Sequence, residues 1–231
     1  MQLTLPQQLS VKQICRWMGL PASAEVDEQT LQLAQKAGEI VLSSAQPRGI
    51  YRIGELEMLQ NGELMCANIP LIGTDIARHL QKCNRAVWMA VTIGTRTEMQ
   101  TRRLGKDMAL VCAVDAAAGL LAETLADQLQ EQIRQEVDSL FYMTGRYSPG
   151  YGDFPIGTQR QVIDFLDAPR KIGLTVNSGG ILIPRKSITA VCGLSDQPVK
   201  GHLAGCAHCV LRTKCNYRKE GKYCGNSELA E

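Results

Sequence analysis

Arg146-Tyr147-Ser148-Pro149-Gly150-Tyr151-Gly152-Asp153-Phe154-Pro155 is the stretch whose reading decides the rest of the chain. Its prolines fix φ, and its glycines open backbone conformations closed to other residues. Such a segment is irregular and rigid. An arginine at its head can grip a carboxylate with two parallel hydrogen bonds. The glycines let a ligand approach the backbone closely. On local chemistry alone two readings stand: a well-ordered turn with a surface arginine, or a ligand-binding loop.

Upstream, residues 107–140 carry the longest helical pattern. Val114, Ala118, Leu121, Leu125, Leu129, Ile133 and Val137 recur at three- and four-residue steps, a stripe read as core packing. Unbroken, this helix would run roughly 50 Å, with Gly119 as a point of bending. Glu123 and Asp127 fall beside the stripe, one turn apart. A solvated helix face is the ordinary reading of such a pair. An acidic face turned to an ammonium or sulfonium ligand is the other. Downstream, residues 158–166 read as a helix, and residues 172–175 and 181–187 as strands around a Gly179-Gly180 turn. Pro184 argues for an edge strand or a bulge.

Toward the N-terminus, residues 11–18 and 27–44 read as helices separated by a break at Pro21 and closed by Pro47-Arg48-Gly49. They form a helical lobe over residues 1–47. Tyr51, Ile53, Leu56 and Met58 lead to Asn61-Gly62 and then Leu64 and Cys66, a hairpin signal. Residues 74–82 read as a helix capped by Thr74 or Asp75. Residues 86–93 are a continuous apolar run between Arg85 and Gly94, the mark of a buried strand. A turn, Thr92-Ile93-Gly94-Thr95, closes it. The chain has no βαβ rhythm and no Gly-x-Gly-x-x-Gly after a strand, so the expected class is α+β.

Composition narrows the function. The 231 residues, 45% hydrophobic, allow a sizeable core. A net charge of +2 does not suggest a general nucleic-acid binder. No apolar run reads as a membrane span, and Met1-Gln2-Leu3-Thr4 does not read as a signal peptide. A cytoplasmic protein is expected. With three histidines in the chain, two of them beside a cysteine cluster, a histidine-based triad is not expected. No hydrolase or phosphate-binding signature is present.

The nine cysteines divide unevenly. Cys15, Cys66, Cys83, Cys112 and Cys192 are scattered and read as buried free thiols. Cys206-Ala207-His208-Cys209 is followed by Cys215 and Cys224, with gaps of two, five and eight residues. In a reducing compartment clustered cysteines favour metal over disulfides. Zinc and iron–sulfur clusters both accept four thiolates. His202 or His208 could replace one ligand, and thiol–disulfide chemistry at Cys206 and Cys209 is a third option. Lys200, Arg212, Lys214, Arg218, Lys219 and Lys222 surround the cluster against Glu220 alone, which would offset thiolates or dock an acidic partner. Residues 196–201 read as a linker, giving a body over 1–195 and a Cys-rich tail over 196–231.

Arg146-x-x-x-Gly150-Tyr151 resembles the S-adenosylmethionine (AdoMet) motif in the activation domain of cobalamin-dependent methionine synthase. The helix and strand pair that follow, to Leu194, are similar in order, and a Cys-rich tail resembles those of free-standing relatives. The resemblance implies an α+β fold with a largely antiparallel sheet, long flanking helices and a metal-binding tail. It also implies roles. Arg146 would hold the methionine carboxylate, Ser148 and Gly150 would line the ligand with backbone, Tyr151 would position it, and Glu123 would meet its amino group. Cys206, Cys209, Cys215 and Cys224 would hold an iron–sulfur cluster, or zinc as the alternative. Methyl transfer from AdoMet to reduced cobalamin needs no protein base, so no catalytic side chain is expected. The chain has no cobalamin-binding Asp-x-His-x-x-Gly and no room for folate or homocysteine modules. A complete synthase is not expected. Cobalamin would arrive on a methionine synthase or another corrinoid protein, with electrons from a low-potential donor. Tyr147, Tyr151 and Phe154 could offer the corrin a flat apolar surface, with a core role as the alternative for Phe154. The competing function is a non-catalytic AdoMet-binding or docking module with a structural zinc tail.

Overall fold

Strand β4 (Arg85–Thr92) is the axis of the computed structural model, which describes residues 3–21, 24–60, 63–137 and 141–199. Successive side chains of a strand point to opposite faces of its sheet. Both faces of β4 are covered, which is why its sequence is continuously apolar. Val87, Met89 and Val91 join one core; Ala86, Trp88 and Ala90 join the other. On one side β4 pairs antiparallel with β1 (Arg48–Met58), and on the other with β8 (Ser187–Ser195). With β2 (Leu64–Cys66), β3 (Ile69–Pro70) and β5 (Tyr142–Met143) the order is β3-β2-β1-β4-β8-β5, and every pairing is antiparallel. This is the α+β class the sequence predicts.

The first face carries α1 (Val11–Trp17), α2 (Glu28–Ser44) and α5 (Met108–Glu136). The predicted stripe of α5 is the floor of this layer: Val114, Ala118, Leu121, Leu125, Leu129 and Ile133 are all buried. Asp107 caps the helix by accepting from the Leu110 N–H at 3.1 Å. Gly119 serves close packing, because a Cβ there would lie 2.8 Å from the Trp17 ring. By length and composition α5 could cross a membrane, against the expectation from the sequence; here most of its apolar stretch is buried in the core. The N-terminal helices share that core and stand on α5.

The second face carries α3 (Thr74–His79), α6 (Thr158–Leu166) and α7 (Ala168–Ile172), and beside them a small hairpin of β6 (Thr175–Val176) and β7 (Leu182–Ile183). Several expectations are corrected here. The strand expected over 172–175 starts only at Thr175, because Ile172 closes α7. The strand expected over 181–187 divides at Pro184, which lacks the N–H a continuous ladder needs. The segment after Gly94 forms α4 (Thr95–Arg103), which the sequence reading missed. Its only buried residue is Thr97, so it has no apolar stripe to announce it. The predicted hairpin is present as the β1–β2 pair, with Met58 opposite Leu64, while its turn at 61–62 lies outside the described residues. Cys15, Cys66 and Cys192 are buried as expected, but Cys83 is only partly buried and Cys112 is exposed on α5. Cys206, Cys209, Cys215 and Cys224 lie outside the described residues.

Candidate ligand-binding site

Arg146 sits on an irregularity of the sheet. Met143 pairs with Leu194, and Tyr147 pairs with Val191. Residues 144–146 therefore face only residues 192–193, so the strand leading out of β5 holds one extra residue. That is a β-bulge, a device that bends a strand and re-aims a side chain. Tyr147 locks the far side of the bulge, donating to Val191 O at 2.9 Å and accepting from Val191 N–H at 2.8 Å. Tyr147 turns into the α3–α6 layer, and Arg146 goes to α5.

On α5 the guanidinium meets three acceptors. Nη2 donates to Glu123 Oε2 at 2.9 Å. Nη1 donates to Asp127 Oδ1 at 2.7 Å and to Gln130 Oε1 at 3.0 Å. Positions 123, 127 and 130 are four and three apart, so they lie on one helix face. The Arg146 side chain is 19% exposed, against 39% for Glu123 and 58% for Asp127. Burial alone would favour a neutral guanidinium. The hydrogen bond to Asp127 and the charges of Asp127 and Glu123 outweigh it and hold the group above its ordinary value. Five N–H groups belong to an arginine. Among the described residues the Nε–H and one Nη2–H carry no bond, the donor count of one bidentate carboxylate. Two carboxylates against one guanidinium leave the cluster one negative charge in excess.

The loop beyond Arg146 is built as a turn. Ser148-Pro149-Gly150-Tyr151 closes with Tyr151 N–H donating to Ser148 O at 3.0 Å. Gly150 has φ +95°, the left-handed value a type II turn requires at the residue after proline. Gly150 N–H donates to Phe154 O at 2.8 Å, and Phe154 N–H to Tyr151 O at 2.9 Å, which binds the ten-residue stretch into one unit. Tyr151 is half-exposed. Partial burial and the nearby Glu123 charge raise its phenol pKa, against the opposing pull of Arg146 and of a hydrogen bond with Ser148. Of the residues named from the sequence, Arg146, Glu123, Ser148, Gly150 and Tyr151 thus fall in one neighbourhood, with Asp127 as expected beside Glu123. Tyr147 and Phe154 do not face outward: they are 3% and 1% exposed. The aromatic surface expected for a corrin is reduced to Tyr151.

Gln130, His79 and Asp153 were not singled out by sequence reasoning. Gln130 was recoverable from its spacing to Asp127. Asp153 corrects the predicted cap of α3. That helix is capped by neither Thr74 nor Asp75 but by Asp153 from across the chain. Asp153 Oδ2 accepts from Thr74 N–H at 2.6 Å and from Thr74 Oγ1 at 2.8 Å, and Oδ1 accepts from Asp75 N–H at 3.1 Å. These bonds hold the carboxyl below its ordinary pKa. His79 closes the other end of α3, buried, with Nε2 3.0 Å from Gly145 O and 3.0 Å from Thr144 Oγ1.

No protein-family model matches the chain, and no curated protein matches it. Among solved structures it is similar to the MetH reactivation domain bound to AdoHcy. The TM-score is 0.57 and the identity 16%, over 96% of this chain and 87% of that one. The likeness is one of fold.

Proposed function

We propose that the chain binds AdoMet at Arg146 and acts as a separate activation subunit, supporting reductive methylation of cobalamin carried by a methionine synthase or another corrinoid protein. One observation carries the reading: a bulge-mounted arginine with donors to spare, set against two carboxylates, on a fold like that of a domain bound to AdoHcy. AdoMet carries a carboxylate, an ammonium and a sulfonium. Its net positive charge complements the excess negative charge of the cluster. Arg146 takes the carboxylate and Glu123 the ammonium. Ser148 and Gly150 line the ligand with the backbone of their hydrogen-bonded turn, and the half-exposed ring of Tyr151 covers it. The partner's corrinoid, once reduced by a low-potential donor, supplies the nucleophile for the sulfonium methyl. What this chain contributes is binding and orientation, with no side chain acting as acid or base.

The tail belongs to the same proposal. Cys206, Cys209, Cys215 and Cys224 would hold an iron–sulfur cluster, which would supply one-electron transfer in the reducing compartment of the cytoplasm. Protein purified without oxygen is expected to carry iron and sulfide with a broad visible absorbance that Cys206→Ser removes, while AdoMet binding survives. One zinc per chain and no iron would make the tail structural.

The test of the whole reading mixes this protein with a cob(II)alamin-loaded corrinoid protein, a low-potential reductant and AdoMet. Methylcobalamin is expected to appear in the visible spectrum only when this protein is present. Equal rates without it, across several corrinoid partners, would end the activation reading.

A further inference from the structure

We propose that helix α3 is a splint for the Arg146 loop, with His79 and Asp153 as its positioning residues. The proposal rests on the AdoMet reading for its ligand but on separate observations for its geometry. A β-bulge frees a carbonyl from the strand ladder, and a buried carbonyl without a partner is costly. Here that carbonyl is the part-buried Gly145 O, one residue before Arg146, and its partners are the buried His79 and the Thr144 hydroxyl.

The hydrogen bonds fix the tautomer. Thr144 Oγ1 accepts from Gly193 N–H at 2.8 Å and donates to Gly145 O at 3.1 Å. A carbonyl can only accept. Nε2 must therefore carry the proton and share it between Gly145 O and Thr144 Oγ1. The imidazole also lies against Tyr147, with ring centroids 5.0 Å apart. His79 thus holds the residues on both sides of Arg146.

The other end of the loop is held by the other end of α3. Asp153 stands in for the missing side-chain cap, as its three accepted bonds show. Both partners are shaped for this contact. Gly73, the residue before α3, has φ +133°, and a Cβ there would lie 2.5 Å from Asp153 Oδ1. Gly152 has φ +51°, and a Cβ there would strike the Asp75 carboxylate and lie 2.6 Å from Tyr147 Oη. A six-residue helix thereby spans the ligand loop from its bulge to its exit. Loops that must present a side chain and several backbone groups at once gain affinity when they are ordered beforehand.

The experiment pairs AdoHcy calorimetry with hydrogen exchange of the loop amides in the full chain. Asp153→Ala, at a solvent-facing carboxylate, and His79→Leu are expected to speed exchange at Gly150, Tyr151 and Phe154 without ligand. Each is expected to weaken AdoHcy binding by roughly tenfold or more, the scale set by misplacement of a binding group. His79→Gln, whose amide nitrogen can replace Nε2–H, is expected to restore most of the loss, which a purely packing role for His79 would not do. If His79→Leu fails to fold, His79→Gln and Asp153→Ala carry the test. Loop exchange as slow in Asp153→Ala as in wild type overturns the splint, whether or not AdoHcy binds. So does equal AdoHcy affinity in Asp153→Ala and wild type. Wild type that binds no AdoHcy, with exchange still accelerated in the variants, overturns the AdoMet reading and leaves the splint standing.

Discussion

Arg146→Ala is expected to lose roughly 30- to 1000-fold in AdoMet affinity, on the order of 2–4 kcal/mol. The size follows from what the truncation leaves behind. A ligand carboxylate that has given up water for the site would find no cation, while Glu123 and Asp127 would face it at close range. The fold should survive. Glu123 and Asp127 are substantially exposed and can be rehydrated, so the folding cost falls mainly on the buried Gln130 Oε1 left without its donor, about 1–3 kcal/mol against a total of roughly 5–15 kcal/mol. Arg146→Lys separates charge from geometry, because an ammonium cannot serve three acceptors on α5 and a bidentate carboxylate together. It should fall between wild type and alanine. Calorimetry decides the matter: equal affinities for wild type and Arg146→Ala would remove Arg146 from the site.

Part of this site is legible in the sequence and part is not, for physical reasons that differ from residue to residue. Pro149-Gly150 declared its turn because the two residues restrict and permit φ in ways that only a few turn types use. The α5 stripe and its acidic flank were legible because a helix repeats every three to four residues, and that period is local. The buried strand at 86–93 was legible as a strand, and its place in the centre of the sheet followed from apolar side chains on both faces. The bulge was not legible. It is a difference in count between two strands separated by about fifty positions, and neither strand records it alone. The splint was hidden for the same reason. Asp153 and Thr74 are 79 residues apart, and nothing near Thr74 says that its cap will come from elsewhere. His79, unlike His202 and His208 beside the cysteine cluster, drew no remark in the sequence, because its work is done on a carbonyl. The α4 helix was missed because its burial is confined to Thr97. The misplaced aromatics have a simpler cause. In Arg146–Pro155 burial follows no simple period: Tyr147, Pro149 and Phe154 turn inward while residues 150–153 are all exposed, and composition does not announce which aromatic goes which way.

That uneven burial yields the second large effect, a split between two aromatic residues three positions apart. Phe154→Ala should cost about 3–5 kcal/mol of folding stability, the usual scale for emptying an aromatic site in a core. Phe154 is 1% exposed, lies 6.4 Å from the Tyr147 ring, and belongs to the same cluster as Trp88 on the central strand. Against a total stability of roughly 5–15 kcal/mol, that loss is large enough to move a denaturation midpoint visibly. Tyr151→Ala should cost less than about 1 kcal/mol, as a half-exposed side chain leaves little cavity. Its effect should appear instead in ligand affinity, through loss of the ring beside Arg146 and Glu123. Urea denaturation followed by AdoMet titration of each variant separates the two. Phe154→Ala as stable as wild type would return that ring to the surface and reopen it as a contact for a corrin. Tyr151→Ala with undiminished AdoMet affinity would mean that the half-exposed ring faces the partner protein and not the ligand, moving the covering of the site to the complex.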